Sequence, residues 1–166
     1  EFIQYIKDKC GLDIRIISGL EEARLIYLGI ASGMNLGDQQ ALLIDIGGGS
    51  TELIVGDKQQ HYLLDSLKLG AIRLTNMFFL PHENEGVTPE RYTLIQSYVR
   101  NTLVRTAQRI QPYKIDVLLG SSGTILNLAN ITAEHFYQRS ALPDESFTHQ
   151  QLKTVISRLC ELPLDQ

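Results

Sequence analysis

The stretch from Ala41 to Asp57, ALLIDIGGGSTELIVGD, permits few local structures. Two short apolar runs, Leu42, Leu43, Ile44 and Ile46, then Leu53, Ile54 and Val55, have strand length and β-rich composition. Gly47, Gly48, Gly49 and Ser50 lie between them, so the segment reads as strand, tight turn, strand. Glycine costs backbone entropy, and a hairpin that needed only one would carry side chains elsewhere. The surplus glycines offer bare backbone N–H groups that a bulky anion can approach closely. Ser50 and Thr51 add hydroxyl donors, and such a nest suits phosphate. Asp45 and Glu52 flank the loop, and two carboxylates beside a phosphate site make sense when a hard cation such as Mg²⁺ bridges them. The alternative is an ordinary glycine-rich β-turn with two solvated acids.

The rest of the chain punctuates itself clearly. Phe2 to Lys9 reads as a helix with Phe2, Ile3 and Ile6 apolar, closed by Gly11. Asp13 to Ile17 alternates as a short strand would. Ser18-Gly19-Leu20-Glu21 matches a capping box and opens a helix through about Ala31, with Leu20, Ala23, Ile26 and Ile30 at helical spacing. The cap accounts for Glu21 but not for Glu22, which is either a first-turn acid favoured by the helix dipole or a functional carboxylate. After the strand pair, Asp57 to Gln60 turns the chain into a third strand, about His61 to Leu67. Ala71 to Phe79 reads as a helix, and His82 to Val87 as a polar loop. Thr88-Pro89 starts the longest helix, whose residues Tyr92, Ile95, Val99, Leu103 and Ile110 mark an expected buried stripe ending before Pro112. Ile115 to Leu119 suits a strand covered on both faces. Gly120-Ser121-Ser122-Gly123-Thr124 then leads into a helix from about Ile125 to Phe136, which makes a second candidate anion site at a helix N-terminus. Plain capping by Ser121 or Ser122 is its alternative. Thr148 and Gln151 make a further capping box before a last helix.

Composition narrows the function classes. With 166 residues, 43% of them hydrophobic, the chain holds one soluble globular core. A net charge of −4 without basic runs speaks against nucleic acid. No apolar run reaches transmembrane length, so no membrane partner is expected. Cys10 and Cys160 fit neither a disulfide framework nor a metal pair, which points to a reducing, cytoplasmic setting. Asn130-Ile131-Thr132 matches a glycosylation acceptor but falls within an expected helix. There is no Walker A lysine after the glycines, no zinc spacing among the four histidines, and no GxSxG elbow.

From Gln40 onward the element order is β-β-β-α-α-β-α-α. Three antiparallel strands joined by a helical crossover to a parallel strand match a ribonuclease H-like α/β layout: a mixed sheet flanked by helices. Loops at the strand ends of such a sheet converge on one edge, which would bring the GGGS and GSSGT turns to a single crevice.

The segments Ile17-Ser18-Gly19-Leu20-Glu21-Glu22-Ala23-Arg24-Leu25-Ile26, Leu43-Ile44-Asp45-Ile46-Gly47-Gly48-Gly49-Ser50-Thr51-Glu52-Leu53 and Gly120 to Thr124 closely resemble the exopolyphosphatase/guanosine pentaphosphate phosphohydrolase family. That family has the two-lobed actin-like, sugar-kinase-like fold. The resemblance covers most of the chain with its motifs in order. It implies a Mg²⁺-dependent phosphoanhydride hydrolase acting on polyphosphate or pppGpp. Glu22 would be the general base. Asp45 and Glu52 would sit at the metal, directly or through water. Gly47, Gly48, Gly49, Ser50 and Thr51 would hold the phosphoryl group. Gly120, Ser121, Ser122, Gly123 and Thr124 would bind further phosphates, with Arg24 and Arg73 as supplementary ligands or as ion-paired arginines. The family's other glycine-rich phosphate loop does not occur in this sequence. The resemblance thus implies that residues 1–19 are the tail of a first lobe and 20–166 most of the second. It also implies that this stretch alone is inactive, and an exposed apolar face would favour a homodimer. A non-catalytic polyphosphate or alarmone regulator, and an ATP-handling kinase or actin-like relative, are the alternatives.

Overall fold

The computed structural model describes residues 1–81, 83 and 86–163. Its elements are α1 (Phe2–Cys10), α2 (Gly19–Gly33), β1 (Ala41–Ile46), β2 (Thr51–Gly56), β3 (His61–Leu67), α3 (Ala71–Phe78), α4 (Pro89–Ile110), β4 (Val117–Ser121), α5 (Ser122–Tyr137) and α6 (His149–Glu161). The four strands form one sheet in the order β3-β2-β1-β4; β1 is antiparallel to β2 and parallel to β4, and β2 is antiparallel to β3. The mixed sheet flanked by helices is the expected ribonuclease H-like layout.

One sheet face carries Ala41 and Leu43 of β1 and Ile54 of β2. Ala23 and Tyr27 of α2, together with Leu36, close over them to form the buried core. The β-rich runs and the helical spacing of α2 therefore meet on a common face. Tyr27 anchors the packing by donating from its hydroxyl to the Asp57 carbonyl at 2.9 Å. Behind the sheet, α4 packs against β3. Its buried Thr106 donates to Asp65 Oδ2 at 2.7 Å, and Arg109 donates to the same oxygen at 2.9 Å.

The structure corrects several local expectations. Asp13 to Ile17 forms no strand; it lies irregular between α1 and α2, with Ile16 81% exposed. An alternating run becomes a strand only where a neighbour accepts its backbone bonds, and no strand among the described residues does so. Leu20 is exposed, and Tyr27 takes its expected place in the core. The stripe on α4 is only half-buried, and Thr106 is that helix's one buried residue. β4 begins two residues later than expected, because Asp116 is spent on Gln40: its N–H donates to the Gln40 carbonyl at 2.8 Å and its carboxylate accepts from the Gln40 N–H at 3.1 Å. Nor is β4 covered on both faces. It is one of the sheet's two outer strands, and Leu118 is 64% exposed. The last capping box forms in full, with Thr148 and Gln151 exchanging both bonds. Within the polar loop from His82 to Val87, His82, Asn84 and Glu85 fall outside the described residues, as does the segment from 164 to 166.

Candidate active site

The glycine loop joins β1 to β2, and all three of its glycines have ordinary negative φ; among the described residues, Gly11 and Gly37 are the only glycines with positive φ. A special turn conformation therefore does not explain them. Their carbonyls do. Gly47 O accepts from the Ala71 N–H at 2.9 Å, Gly48 O from the Arg73 N–H at 3.0 Å, and Gly49 O from Arg73 Nε at 2.9 Å. In a planar trans peptide the N–H points opposite to its C=O. Anchoring three successive carbonyls on α3 thus turns the N–H groups of Gly48, Gly49 and Ser50 the other way, and none of them meets an acceptor among the described residues. Gly48 and Gly49 are exposed. The loop is a row of open donors held rigid from behind, the arrangement that binds phosphate. Thr51 is buried, and its hydroxyl donates to the Leu69 carbonyl at 2.8 Å, so it braces the loop rather than facing a ligand. Arg73 ties the loop to α3 through Nε, and a cleft lined by Gly48, Gly49, Arg73 and Asn76 opens beside it.

The second turn arrives at the same place. β4 runs parallel to β1 with Ser121 opposite Asp45, and Ser122 Oγ donates to the Ile46 carbonyl at 2.7 Å. Ser122 has φ 71°, a left-handed conformation that is costly for a side chain and collects at functional sites. Neither serine caps α5 with its side chain: Ser121, at the N-cap, makes no such bond, and the Ser122 hydroxyl is spent on β1. Plain capping therefore does not account for the serines. Gly123 is exposed and Thr124 half-buried at the first turn of α5.

Register sets the carboxylates. Ser66 of β3, Glu52 of β2, Asp45 of β1 and Ser121 of β4 lie opposite one another in turn, so one polar row crosses the whole sheet. Glu52 is 1% exposed and accepts from Ser66 Oγ at 2.8 Å. Asp45 is half-buried. The first turn of α2 delivers Glu22 to the same row. Partial loss of water around its carboxyl pushes the Glu22 pKa above the usual glutamate range, and the charges of Glu52 and then Asp45 push it further. The side chain is exposed overall, so the neighbouring carboxylates matter as well as the burial. An acid serving only the helix dipole would be held down instead.

Glu21 and Arg24 behave differently from Glu22. Ser18 Oγ accepts from the Glu21 N–H at 3.2 Å, but the Glu21 carboxylate does not return to the cap. It takes a bidentate pair with Arg24, at 2.9 and 2.7 Å, so only half of the capping box forms. Arg24 is thereby ion-paired. The residue missed in the sequence is Ser66. Counting back from the turn bond between Asp57 N–H and the Gln60 carbonyl would pair Glu52 with Asp65; the register shift between Val55 and Gly56 puts Ser66 there instead.

Asp45 and Glu52 supply hard oxygen donors on adjacent strands. Among the described residues no group of three or more His, Cys, Asp or Glu side chains forms a metal cage. Two carboxylates suit Mg²⁺ all the same, since it keeps several waters and completes its shell with substrate phosphate. A second cavity, lined by Ile131, His135, Val155 and Arg158 between α5 and α6, holds none of the candidate residues. No helix among the described residues is long and apolar enough to cross a membrane.

The family model of the Ppx/GppA phosphatases matches residues 1–166. Among solved structures, an exopolyphosphatase from Cytophaga hutchinsonii is 27% identical with a TM-score of 0.84, over 97% of this chain and 52% of that one. A Ppx/GppA enzyme from Aquifex aeolicus is 26% identical with a TM-score of 0.75, over 98% of this chain and 52% of that one. An exopolyphosphatase-like protein is 30% identical with a TM-score of 0.66, over 80% of this chain and 42% of that one. The chain thus spans about half the length of the solved structures it matches.

Proposed function

From the premise that this chain belongs to the Ppx/GppA phosphatase family, we propose that it carries the hydrolytic half of a phosphatase that removes the terminal phosphate of inorganic polyphosphate or of guanosine pentaphosphate. The observation that carries the reading is the meeting, at one sheet edge, of an open N–H nest with three carboxylates: Glu22, Asp45 and Glu52. A nest alone would hold phosphate. A solvent-exposed carboxylate with a raised pKa beside it adds a base for water.

In this reading the N–H groups of Gly48, Gly49 and Ser50 hold the terminal phosphoryl group, and the first turn of α5, from Ser121 to Thr124, receives the phosphate behind it. Glu22 accepts a proton from a water as that water's oxygen bonds to phosphorus. The phosphoanhydride P–O bond breaks, and the shortened chain leaves as a phosphate anion. Asp45 and Glu52 would hold Mg²⁺, which when bound neutralises phosphate charge. Phosphoryl transfer needs this positioning and charge balance more than covalent help. Arg73 stands beside the nest as a supplementary phosphate ligand, whereas Arg24 reaches phosphate only by leaving Glu21. Since the matched structures are about twice as long, the activity is proposed for a whole protein in which a first lobe, with residues 1–19 as its tail, closes over this one. The setting proposed is cytoplasmic.

The test is Mg²⁺-dependent phosphate release from long-chain polyphosphate and from pppGpp by the whole protein and its Glu22→Gln variant. We expect hydrolysis of one or both, and a loss of about two orders of magnitude or more in the variant. Binding without cleavage in the parent would favour a regulator of the same ligands. Equal activity in the variant would return Glu22 to the role of a helix-start acid.

A further inference from the structure

A carboxylate as buried as Glu52 needs partners for its charge, and its surroundings leave it one. Ser66 Oγ donates to Glu52 Oε1 at 2.8 Å, and no donor among the described residues reaches Oε2. Every fully buried side-chain polar atom among the described residues has a partner, so Oε2 is not fully sealed. Ser66 is itself confined. A methyl group on Gly19 would collide with its hydroxyl, so the start of α2 sits directly on Ser66, three residues ahead of Glu22. On the other face of β3, Asp65 is pinned by Thr106 and Arg109 of α4, at 2.7 and 2.9 Å. Alternation along the strand turns this anchored Asp65 away from the crevice and Ser66 into it.

We propose that Ser66 is a positioning residue: clamped between Gly19 and Glu52, its hydroxyl holds the buried carboxylate with Oε1 turned into the protein and Oε2 presented to the cation site. The assignment rests on the phosphatase reading for its purpose, but its geometry belongs to Ser66 alone. Partners that orient a metal-binding carboxylate typically alter metal affinity 10- to 100-fold when removed. The experiment is calorimetric titration of the whole protein with Mn²⁺ alone, in parent, Ser66→Ala and Ser66→Cys forms, alongside kcat and KM for polyphosphate. Cysteine fills the same space with a poor donor, so it separates the hydrogen bond from packing and guards against a cavity that unfolds the alanine variant. We expect both variants to lose about tenfold or more in Mn²⁺ affinity, with kcat lowered and KM little changed. Parent-like Mn²⁺ affinity in Ser66→Cys, or no Mn²⁺ binding by the parent, overturns the proposal. Failure of the two readings is distinguishable. A protein whose Mn²⁺ affinity depends on Ser66 yet which cleaves neither substrate loses the phosphatase reading and keeps this one. An active protein indifferent to Ser66 does the reverse.

Discussion

At the residue scale, Glu22 carries the sharpest consequence, because its proposed role and the stability of the fold pull in opposite directions. Its carboxyl is less readily ionised in the folded protein than in an unfolded chain, for reasons of burial and of the charges on Glu52 and Asp45. A carboxyl whose folded pKa is raised costs nothing when both states are protonated. The cost enters as pH rises above the unfolded value, about 4.3, and is complete once pH passes the folded value. Glu22→Gln removes an ionisation the fold resists. We therefore expect its Tm to exceed that of the parent at pH 7 and to match it near pH 4, even as hydrolysis is lost. Thermal scans across that range, without divalent cation, check this; a Tm at pH 7 below the parent's would contradict the electrostatic account. Burial still raises the Glu22 pKa when a cation neutralises Asp45 and Glu52, so the acid limb of the pH–rate profile is expected to lie higher than for an unperturbed glutamate, since the base must be ionised to take a proton.

At the element scale, the working unit is the pairing of the glycine loop with α3. Helix N-terminal N–H groups commonly serve anions, but here those of Ala71 and Arg73 are committed to the carbonyls of Gly47 and Gly48. Their role is to orient the loop, and the loop's own amides are left for the ligand. This depends on contact so close that a Cβ on Gly70 would collide with the backbone of Gly48 and Gly49. Gly70→Ala should therefore force α3 and the loop apart, at about 1–3 kcal/mol in stability, and weaken binding of inorganic phosphate or polyphosphate. Gly49→Ala is the control, since a Cβ there meets nothing within 4 Å. Its Tm is expected to stay near the parent's. Equal effects of the two substitutions would show that the loop is not set from behind.

At the scale of the whole molecule, stability is unevenly distributed. All six residues of β2 are buried at the centre of the sheet, whereas α1 has no buried residue. A nine-residue helix without packing is marginal in water. Hydrogen exchange should find residues 2–17 of this chain exchanging close to the unprotected rate, with β1 and β2 protected up to the global unfolding limit. Strong protection of α1 in this chain by itself would mean that it docks where the structure leaves it free. The chain covers about half of its solved relatives, and in the proposed two-lobed protein one lobe alone would position a substrate poorly. Phosphate release by residues 1–166 alone is accordingly expected to be negligible beside that of the whole protein.

What the amino-acid sequence determined by itself was for the most part what has a local cause. Apolar runs and glycine punctuation place β1 and β2 within a residue or two, His61–Leu67 matches β3 at both ends, and the Thr148–Gln151 box forms as its spacing requires. The meeting of the GGGS and GSSGT turns was also legible, because a parallel strand after an antiparallel meander leaves few topologies. Tertiary structure decided the matters that depend on partners distant in the chain. Asp13 to Ile17 has the alternation of a strand and no strand beside it. Glu21 prefers the fork of Arg24 to the cap its spacing suggested. The Ser18 motif could not say which of two adjacent glutamates would feel Glu52 and Asp45, since that field comes from strands more than 20 residues away. A one-residue register shift placed Ser66, and not Asp65, against Glu52. Side chains alternate across a strand, so a single slipped residue exchanges a carboxylate for a hydroxyl at the centre of the site.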